Sequence, residues 1–506
     1  MFSPWGWSIE HFVHSVKTLG SGGSGATNAH WSSATSYNPA LLGAASGANS
    51  SDNFYFSFAL AGRVKDTMED GDTIEVVDTL KESIDEFDSL DDVDLLQSDI
   101  RYLQNTLDSA NRLIDNFEAT NGAGISAHLG SNIGMGWAFE RFSLSLHTLV
   151  RLDFGATASI SQDDVKYLRR FTQLGQLLVS DVRPLYDEAK ILEAEFYELR
   201  DDLRSIIEDG EASDTEIAEA EKHVEEAKTL FEAAVELAEE AKELYTTIDN
   251  DYADVFDLKT QTLLFNKEQL QSTARFAAIG WGEAGVTVGS RWNINDAKIL
   301  AAGVTIKTVH LEFFDYQTRV VAFKDDDFDP DHYRTEKDFV TADVGLLLTM
   351  DPQETWRVGL SVKNIFSNDI ASRSDQLLAP GNTLTYKVRP QFKVGTSYNG
   401  DWYRLSADAD LNESKGPVNK NGIQFFKGSQ YLSVGAAINA TPYAEIRFGY
   451  RHNVIAYKGR NRSSRRDGRV TLGAGLILGA FHVDAAVFSS PALRDIGGAF
   501  QAMITW

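Results

Sequence analysis

The sequence predicts a β-class fold: a transmembrane antiparallel β-barrel of about fourteen strands, with an N-terminal hatch and large α-helical insertions. Three observations predict it. Many segments alternate at period 2, as where Ala444, Ile446, Phe448 and Tyr450 share one face and Glu445, Arg447, Gly449 and Arg451 the other, so each strand has two unlike faces. Short turns alternate with long connections along the chain, the habit of outer-membrane barrels. At the end, Phe500, Ala502, Ile504 and Trp506 alternate with Gln501, Met503 and Thr505. A closing strand of that kind sets its last aromatic in the interfacial girdle.

Composition narrows the alternatives. The 506 residues carry a net charge of −27, which excludes free nucleic acid as a natural partner. There is no cysteine, hence no disulfide framework and no thiolate metal site. No apolar run approaches the roughly 18–20 residues of a membrane-spanning helix, leaving a barrel or a soluble acidic multi-domain protein that would stay in water without detergent. Met1–Lys17 holds Glu10 and two histidines rather than a basic stretch and an apolar core. The expectation is a leader removed before this numbering, or a start assigned elsewhere.

Taken in order, residues 1–53 read as the hatch, with Phe2, Trp5, Trp7, Phe12 and Val13 able to supply an apolar pocket or a periplasmic contact. Residues 54–65, 121–160 and 272–506 read as barrel, and 66–120 and 161–271 as acidic helical insertions. In the shorter insertion Ile74, Val77, Leu80, Ile84 and Phe87, then Val93, Leu96, Ile100, Leu103 and Leu107, mark one or two amphipathic helices packed beside the longer insertion.

The longer insertion reads as an antiparallel coiled-coil hairpin. One arm places Leu178, Val182, Leu185, Ala189, Leu192, Phe196, Leu199, Leu203 and Ile206 at alternating steps of four and three. The other repeats this through Ile217, Ala220, Val224, Ala227, Phe231, Ala234, Ala238, Ala241 and Tyr245, a heptad seam on both arms. Gly210 suits a C-cap, Ser213 with Glu216 a capping box, and Pro184 a kink. Each arm measures roughly 60–70 Å at the helical rise. Two roles fit: a spacer or stalk, or a partner-binding arm.

Strands are expected near 54–65, 123–133, 136–158, 272–292, 298–319, 338–350, 355–366, 384–397, 402–412, 428–438, 443–453, 469–478, 481–489 and 498–506. Tight turns fall at Ser131–Met135, Asn293–Ala297, Asp351–Glu354, Tyr398–Gly400, Asn439–Pro442 and Gly479. Long connections fall at both helical insertions and at 320–337, 367–383, 413–427, 454–468 and 490–497. If the tight turns are periplasmic, both insertions project from the cell surface and Trp506 lies at the periplasmic rim.

Gly20-Ser-Gly-Gly-Ser-Gly25 followed by Tyr37-Asn38-Pro39-Ala40-Leu41 resembles the hatch of FadL-type long-chain fatty-acid transporters, fourteen-stranded barrels with a plugging N-terminal segment and an Asn-Pro-Ala motif. The chain is more similar still to an outer-membrane family known as conjugal-transfer TraF-like. Its members share the Asn-Pro-Ala-Leu start, an acidic helical insertion after the first strand, and segments like Gly303–Lys307, Phe314–Tyr316 and Val362–Phe366. The resemblance implies a plugged barrel with a transport role and covers the barrel. The long hairpin has no counterpart in it.

Candidate sites follow from the polar faces. If these point inward, the lumen gathers Arg357, Lys363, Lys387, Arg389, Lys393, Arg404, Arg447 and Arg451 against Asp408, Asp410, Glu445, His482 and Asp484. Ion-paired packing around the hatch is one reading, since unpaired buried charge is costly; a basic ladder guiding anionic solutes is the other. Such a wall suits fatty acids poorly. Asn38, Pro39 and Ala40 are the hatch motif. Asp325, Asp327, Asp329 and Asp331 cluster oxygens suited to Ca²⁺, but without the EF-hand glycine and distal glutamate, which argues for a solvated loop. Lys458, Arg460, Arg462, Arg465 and Arg466 form a basic loop, either solvated or set against lipopolysaccharide phosphates. No catalytic motif, phosphate loop or metal-binding histidine spacing is present, so no cofactor and no enzymatic activity are expected. The function expected is an outer-membrane transport or channel protein whose helices gate access or bind an extracellular partner through 161–271. The alternative is a surface receptor or assembly platform with the barrel as anchor. The solute stays open.

Overall fold

Alternating strands are tolerable in lipid only when the sheet closes, because an open edge strands its amides away from water. A computed structural model describes residues 15–46, 53–66, 100–120, 124–208, 213–260, 262–264, 267–322, 330–373, 382–420, 428–455, 468–491 and 493–506. Among the described residues fourteen strands form one closed antiparallel barrel. They are β1 (Phe54–Asp66), β2 (Gly124–Ala138), β3 (Ser143–Ser159), β4 (Thr273–Asn295), β5 (Lys298–Arg319), β6 (Arg334–Thr349) and β7 (Trp356–Lys363). The second half comprises β8 (Gln391–Asn399), β9 (Tyr403–Asp410), β10 (Tyr431–Thr441), β11 (Ala444–Asn453), β12 (Gly468–Leu478), β13 (Phe481–Ser489) and β14 (Asp495–Thr505). Each strand pairs with its sequence neighbours. The ring closes between β1 and β14, in register from Tyr55 opposite Thr505 to Lys65 opposite Asp495.

The two faces of the wall have opposite chemistry. In β3 the buried, inward residues include Ser145, His147, Arg151 and Asp153, while Leu146, Val150 and Leu152 are exposed outside. Such an apolar exterior is untenable in water and natural in lipid. The rim carrying the short turns is ringed by exposed Phe139, Trp292, Trp356, Trp402, Tyr443 and Trp506, an aromatic girdle. No described helix is long and apolar enough to cross a membrane.

Two expected elements are corrected. No turn lies at Ser131–Met135: β2 runs through to Ala138, and the chain reverses at residues 139–142. Gly134 reads as a turn residue and Gly136 as the start of a new strand, yet both line the inner face of β2. A Cβ on Gly136 would stand 2.4 Å from Cε1 of Tyr55, so that glycine makes room for a ring inside the barrel. Nor is 384–397 one strand. Pro390 has no amide hydrogen to give a ladder, and the chain leaves the wall there. Thr385–Val388 pairs instead with Asn368–Ala371 in a separate two-stranded ribbon.

After β1 and β3 come the helical insertions. Inside the barrel lie α1 (Val16–Gly20) and α2 (Ala40–Ala44), while α3 (Ile100–Thr120) belongs to the shorter insertion. It packs on α4 (Gln162–Leu177) through Ala110, Leu113, Phe117, Leu168 and Phe171. A π-helical turn, Leu178–Val182, joins α4 to α5 (Arg183–Glu208). It falls just ahead of Pro184, whose missing amide hydrogen interrupts the ladder. The second arm, α6 (Asp214–Asp251), opens with the Ser213–Glu216 capping box. The apolar stripes of α5 and α6 are wider than their mutual contact. Leu199 is buried and Leu192, Leu230, Leu237 and Leu244 are half-buried, whereas Phe196, Phe231 and Tyr245 stay open.

Candidate lumen site and its two closures

From one end the barrel is filled by residues 15–46. Their side chains are mostly buried, and their backbone lies directly on the wall. That approach requires a wall without side chains, and Gly289, Gly303, Gly345, Gly435 and Gly449 provide one. Gly289 faces Gly303, and Gly303 faces Gly345, across successive strands. A Cβ on Gly345 would stand 1.8 Å from Oδ1 of Asn38, and one on Gly303 would stand 2.1 Å from the carbonyl oxygen of Pro39. Asn38 staples the segment: its Nδ2 donates to the carbonyls of Ala26 (2.8 Å) and Leu346 (3.2 Å), and its Oδ1 accepts from the Ala40 amide (3.0 Å). Asp408 on β9 adds a second clamp, accepting the Gly25 and Ala26 amides at 2.8 and 2.9 Å. Ser24 and Ser406 hydroxyls meet at 2.6 Å.

From the loop side the ribbon closes the lumen. Its Ile370, Tyr386 and Val388, with Leu384 beside them, pack on the inward residues Ile279, Trp281, Leu311 and Phe313 of β4 and β5. The ribbon is also tied down by polar bonds, from Arg275 to the Asn382 carbonyl (2.8 Å) and from Lys337 to the Asp369 carbonyl (2.7 Å). At its rim Arg389 pairs with Asp369; the guanidinium holds the Asp369 carboxyl below the usual carboxylate range and is itself raised by that hydrogen bond.

Between the closures runs a layer of paired charge. Lys307 bonds Glu283 (3.1 Å) and Asp343 (3.0 Å), His128 and Arg151 share Asp153, and Arg63 and Arg469 share Asp495. In a low-dielectric interior such groups are tolerated only as pairs.

With this geometry in view, the chain matches the family described as "F plasmid transfer operon, TraF, protein" over residues 35–410. It belongs to that family. The matched span covers Asn38, Pro39 and Ala40, so the motif that staples the plug lies within the TraF region of the chain. No curated protein sequence matches. Solved structures similar in fold include a FadL homologue of Pseudomonas aeruginosa (10% identity, TM-score 0.43, 99% of each chain). Others are the toluene transporter TodX of P. putida (9%, 0.39, 97% of each chain) and the CymD monoaromatic hydrocarbon channel (8%, 0.43, 99% of each chain). The closed ring with its apolar exterior makes this TraF-family protein a membrane-type β-barrel, of fourteen strands among the described residues.

Several expected lumen residues of the TraF-family barrel do converge. Arg404 and Arg447 share Glu445, and Arg447 also reaches Asp484 at 2.6 Å. Lys393 pairs with Asp410 (3.1 Å), Lys363 donates to the Ser36 carbonyl (2.8 Å), and Arg451 lies 3.8 Å over the Tyr431 ring. Arg357 is at the short-turn rim with Glu354. Lys387 and Arg389 are corrected: both sit on the ribbon, exposed, and not on the wall. Asp331 is exposed and pairs with Arg334 at 3.3 Å, while Asp325, Asp327 and Asp329 lie outside the described residues. So do Lys458, Arg460, Arg462, Arg465 and Arg466, the hatch aromatics Phe2, Trp5, Trp7 and Phe12 with Val13, and Gly210. Among the described residues no cluster of acidic and histidine side chains could hold a metal.

Sequence reasoning missed the charged layer of β1 to β6, including Arg63, Arg151, Asp153, Glu283, Lys307 and Asp343. The signal was available. In His147-Thr-Leu-Val-Arg151-Leu-Asp153, charges recur at even spacing within an otherwise apolar strand, which marks an inward row.

Proposed function

We propose that this protein is a non-enzymatic, transport-type outer-membrane barrel, closed at rest. The observation that carries the reading is how the lumen is filled. Residues 15–46 and the ribbon, neither of them part of the wall, occupy it, so a passage needs only their displacement and no change in the barrel. Proteins that serve as inert anchors have no need of two separate closures over one lumen. The pairing of Arg404, Arg447 and Lys393 with acids favours packing over a bare cationic ladder for anions. The apolar inner wall under the ribbon supports a pathway that apolar solutes can wet. Both helical insertions follow from the long-connection rim, and we place that rim at the cell surface, because outer-membrane barrels keep their short turns periplasmic.

The test exploits the absence of cysteine. Ser24→Cys with Ser406→Cys, whose hydroxyls stand 2.6 Å apart, forms a disulfide after small adjustment and locks the plug to β9. In liposomes, wild-type protein should pass small solutes slowly, as the plug and ribbon are transiently displaced; the oxidised pair should not, and reduction should restore passage. A wild-type barrel that passes no solute would sink the reading. The second reading, an assembly platform with the barrel as anchor, is favoured by one observation, the open apolar face of the α5–α6 hairpin.

A further inference from the structure

The α5–α6 hairpin stops half-way through a bundle. On α6, Ile217, Val224, Phe231, Ala238 and Tyr245 recur every seventh residue, a row about 42 Å long at the helical rise. All five are exposed, Phe231 to 66% and Val224 to 59%. On α5, Ala189 and Phe196 make a second row seven residues apart, with Tyr186 beside it. Between the rows is a cleft of ≈ 720 Å³ lined by Leu185, Ala189, Phe196, Phe231, Ala238 and Tyr245, among others. Two helices with an unfilled apolar valley between heptad rows present the face that a third amphipathic helix covers.

Charge selects among the occupants. α6 carries 13 Asp and Glu against three Lys, and α5 eight acids against four bases. Residues 67–99, the other heptad-patterned stretch of this chain, hold 13 acids and one Lys. That stretch, or a second copy of the hairpin, would bring like charge against like. A helix whose apolar row is flanked by Lys and Arg meets the opposite field. Cations already at the cleft edge point the same way: Lys190 lies 4.6 Å over the Tyr186 ring and Arg200 lies 4.7 Å over the Tyr197 ring, so the exposed tyrosines take up cationic side chains.

We infer that the α5–α6 valley is a docking surface for a cationic amphipathic helix of a partner protein, about four heptads long. The inference does not depend on whether the lumen conducts.

The full-length protein in nanodiscs is titrated with a fluorescent 28-residue peptide carrying Leu at its heptad core positions and Lys on the flanks. A second peptide with Glu flanks is the control. The cationic peptide should bind, and Phe231→Glu should weaken it about tenfold or more, as the loss of a central aromatic anchor does. Phe231 is exposed, so helicity and the heat-shift of the barrel on gels should be unchanged in the variant. Binding that ignores Phe231→Glu is mere adsorption on an acidic surface and overturns the inference. Binding of the Glu-flanked peptide overturns it too, as does self-association that Phe231→Glu abolishes. If deleting residues 67–99 raises the peptide's affinity tenfold, the chain fills its own valley and the inference fails.

Discussion

Removing the Asn38 side chain takes a hydrogen-bond partner from the buried Ala26 carbonyl and Ala40 amide and from the part-buried Leu346 carbonyl. Leaving buried polar groups unsatisfied costs about 1–3 kcal/mol. Asn38→Ala should therefore lower the denaturant midpoint of the protein in micelles. The opposite wall gives the same result by a different route: Gly345→Val drives side-chain atoms into Asn38, where even a Cβ would stand at 1.8 Å. The two changes act on one contact, so the double variant should fall well short of the sum of the single losses. Full additivity in the midpoints would show that Asn38 and Gly345 act independently and that the seat is not a single joint. The same residues explain what the sequence could and could not disclose. Asn38-Pro39-Ala40 stands out as a motif, but its partners are Gly303, Gly345 and Leu346, some 300 positions away, and no local pattern announces that pairing.

At the scale of elements, strands bounded by clear turn signals were legible to the residue. Lys298–Arg319 and Phe481–Ser489 begin and end where the sequence places them. Errors arose where glycine or proline did something other than turn. Gly134 and Gly136 thin the wall beneath Tyr55, and Pro390 detaches the ribbon from β8. Heptad spacing revealed α5 and α6, yet spacing cannot say how many helices share a stripe, which depends on the angle between them. The ribbon is the element with the clearest consequence. Replacing residues 368–388 by a short Gly-Ser linker keeps β7 and β8 as neighbours but uncovers Ile279, Trp281, Leu311 and Phe313. An environment-sensitive apolar dye should then bind the lipid-embedded variant more than the wild type, whose α5–α6 valley supplies a constant background, and solute passage in liposomes should rise. Unchanged dye binding would mean that other segments already cover that wall.

The whole molecule has one polarity, set by its connections. Along the ring, the reversals at residues 139–142, 296–297, 350–355, 400–402, 442–443 and 479–480 are short, and all lie at the rim that holds Trp506. The opposite rim bears the ribbon and both helical insertions. An antiparallel barrel cannot mix these sets, so a single observation on any one connection orients them all. A barrel inserted from the periplasm has to carry one set of connections across the bilayer, and the other set stays behind. The aromatic girdle at the Trp506 rim fits an interface on that side but is compatible with either leaflet. The decisive connection is the one between α5 and α6, at residues 209–212, because it lies at the far end of two helices of 26 and 38 residues. Protease added to intact cells should cut there and leave a barrel that still resists SDS at room temperature. With a cleavage sequence placed at residues 209–212, a site-specific protease should act at equal rates on intact and permeabilised cells. Cleavage only after permeabilisation would put the insertions in the periplasm. The peptide-docking surface on α5 and α6 would then face partners inside the envelope, while the barrel and its plug would stand unchanged.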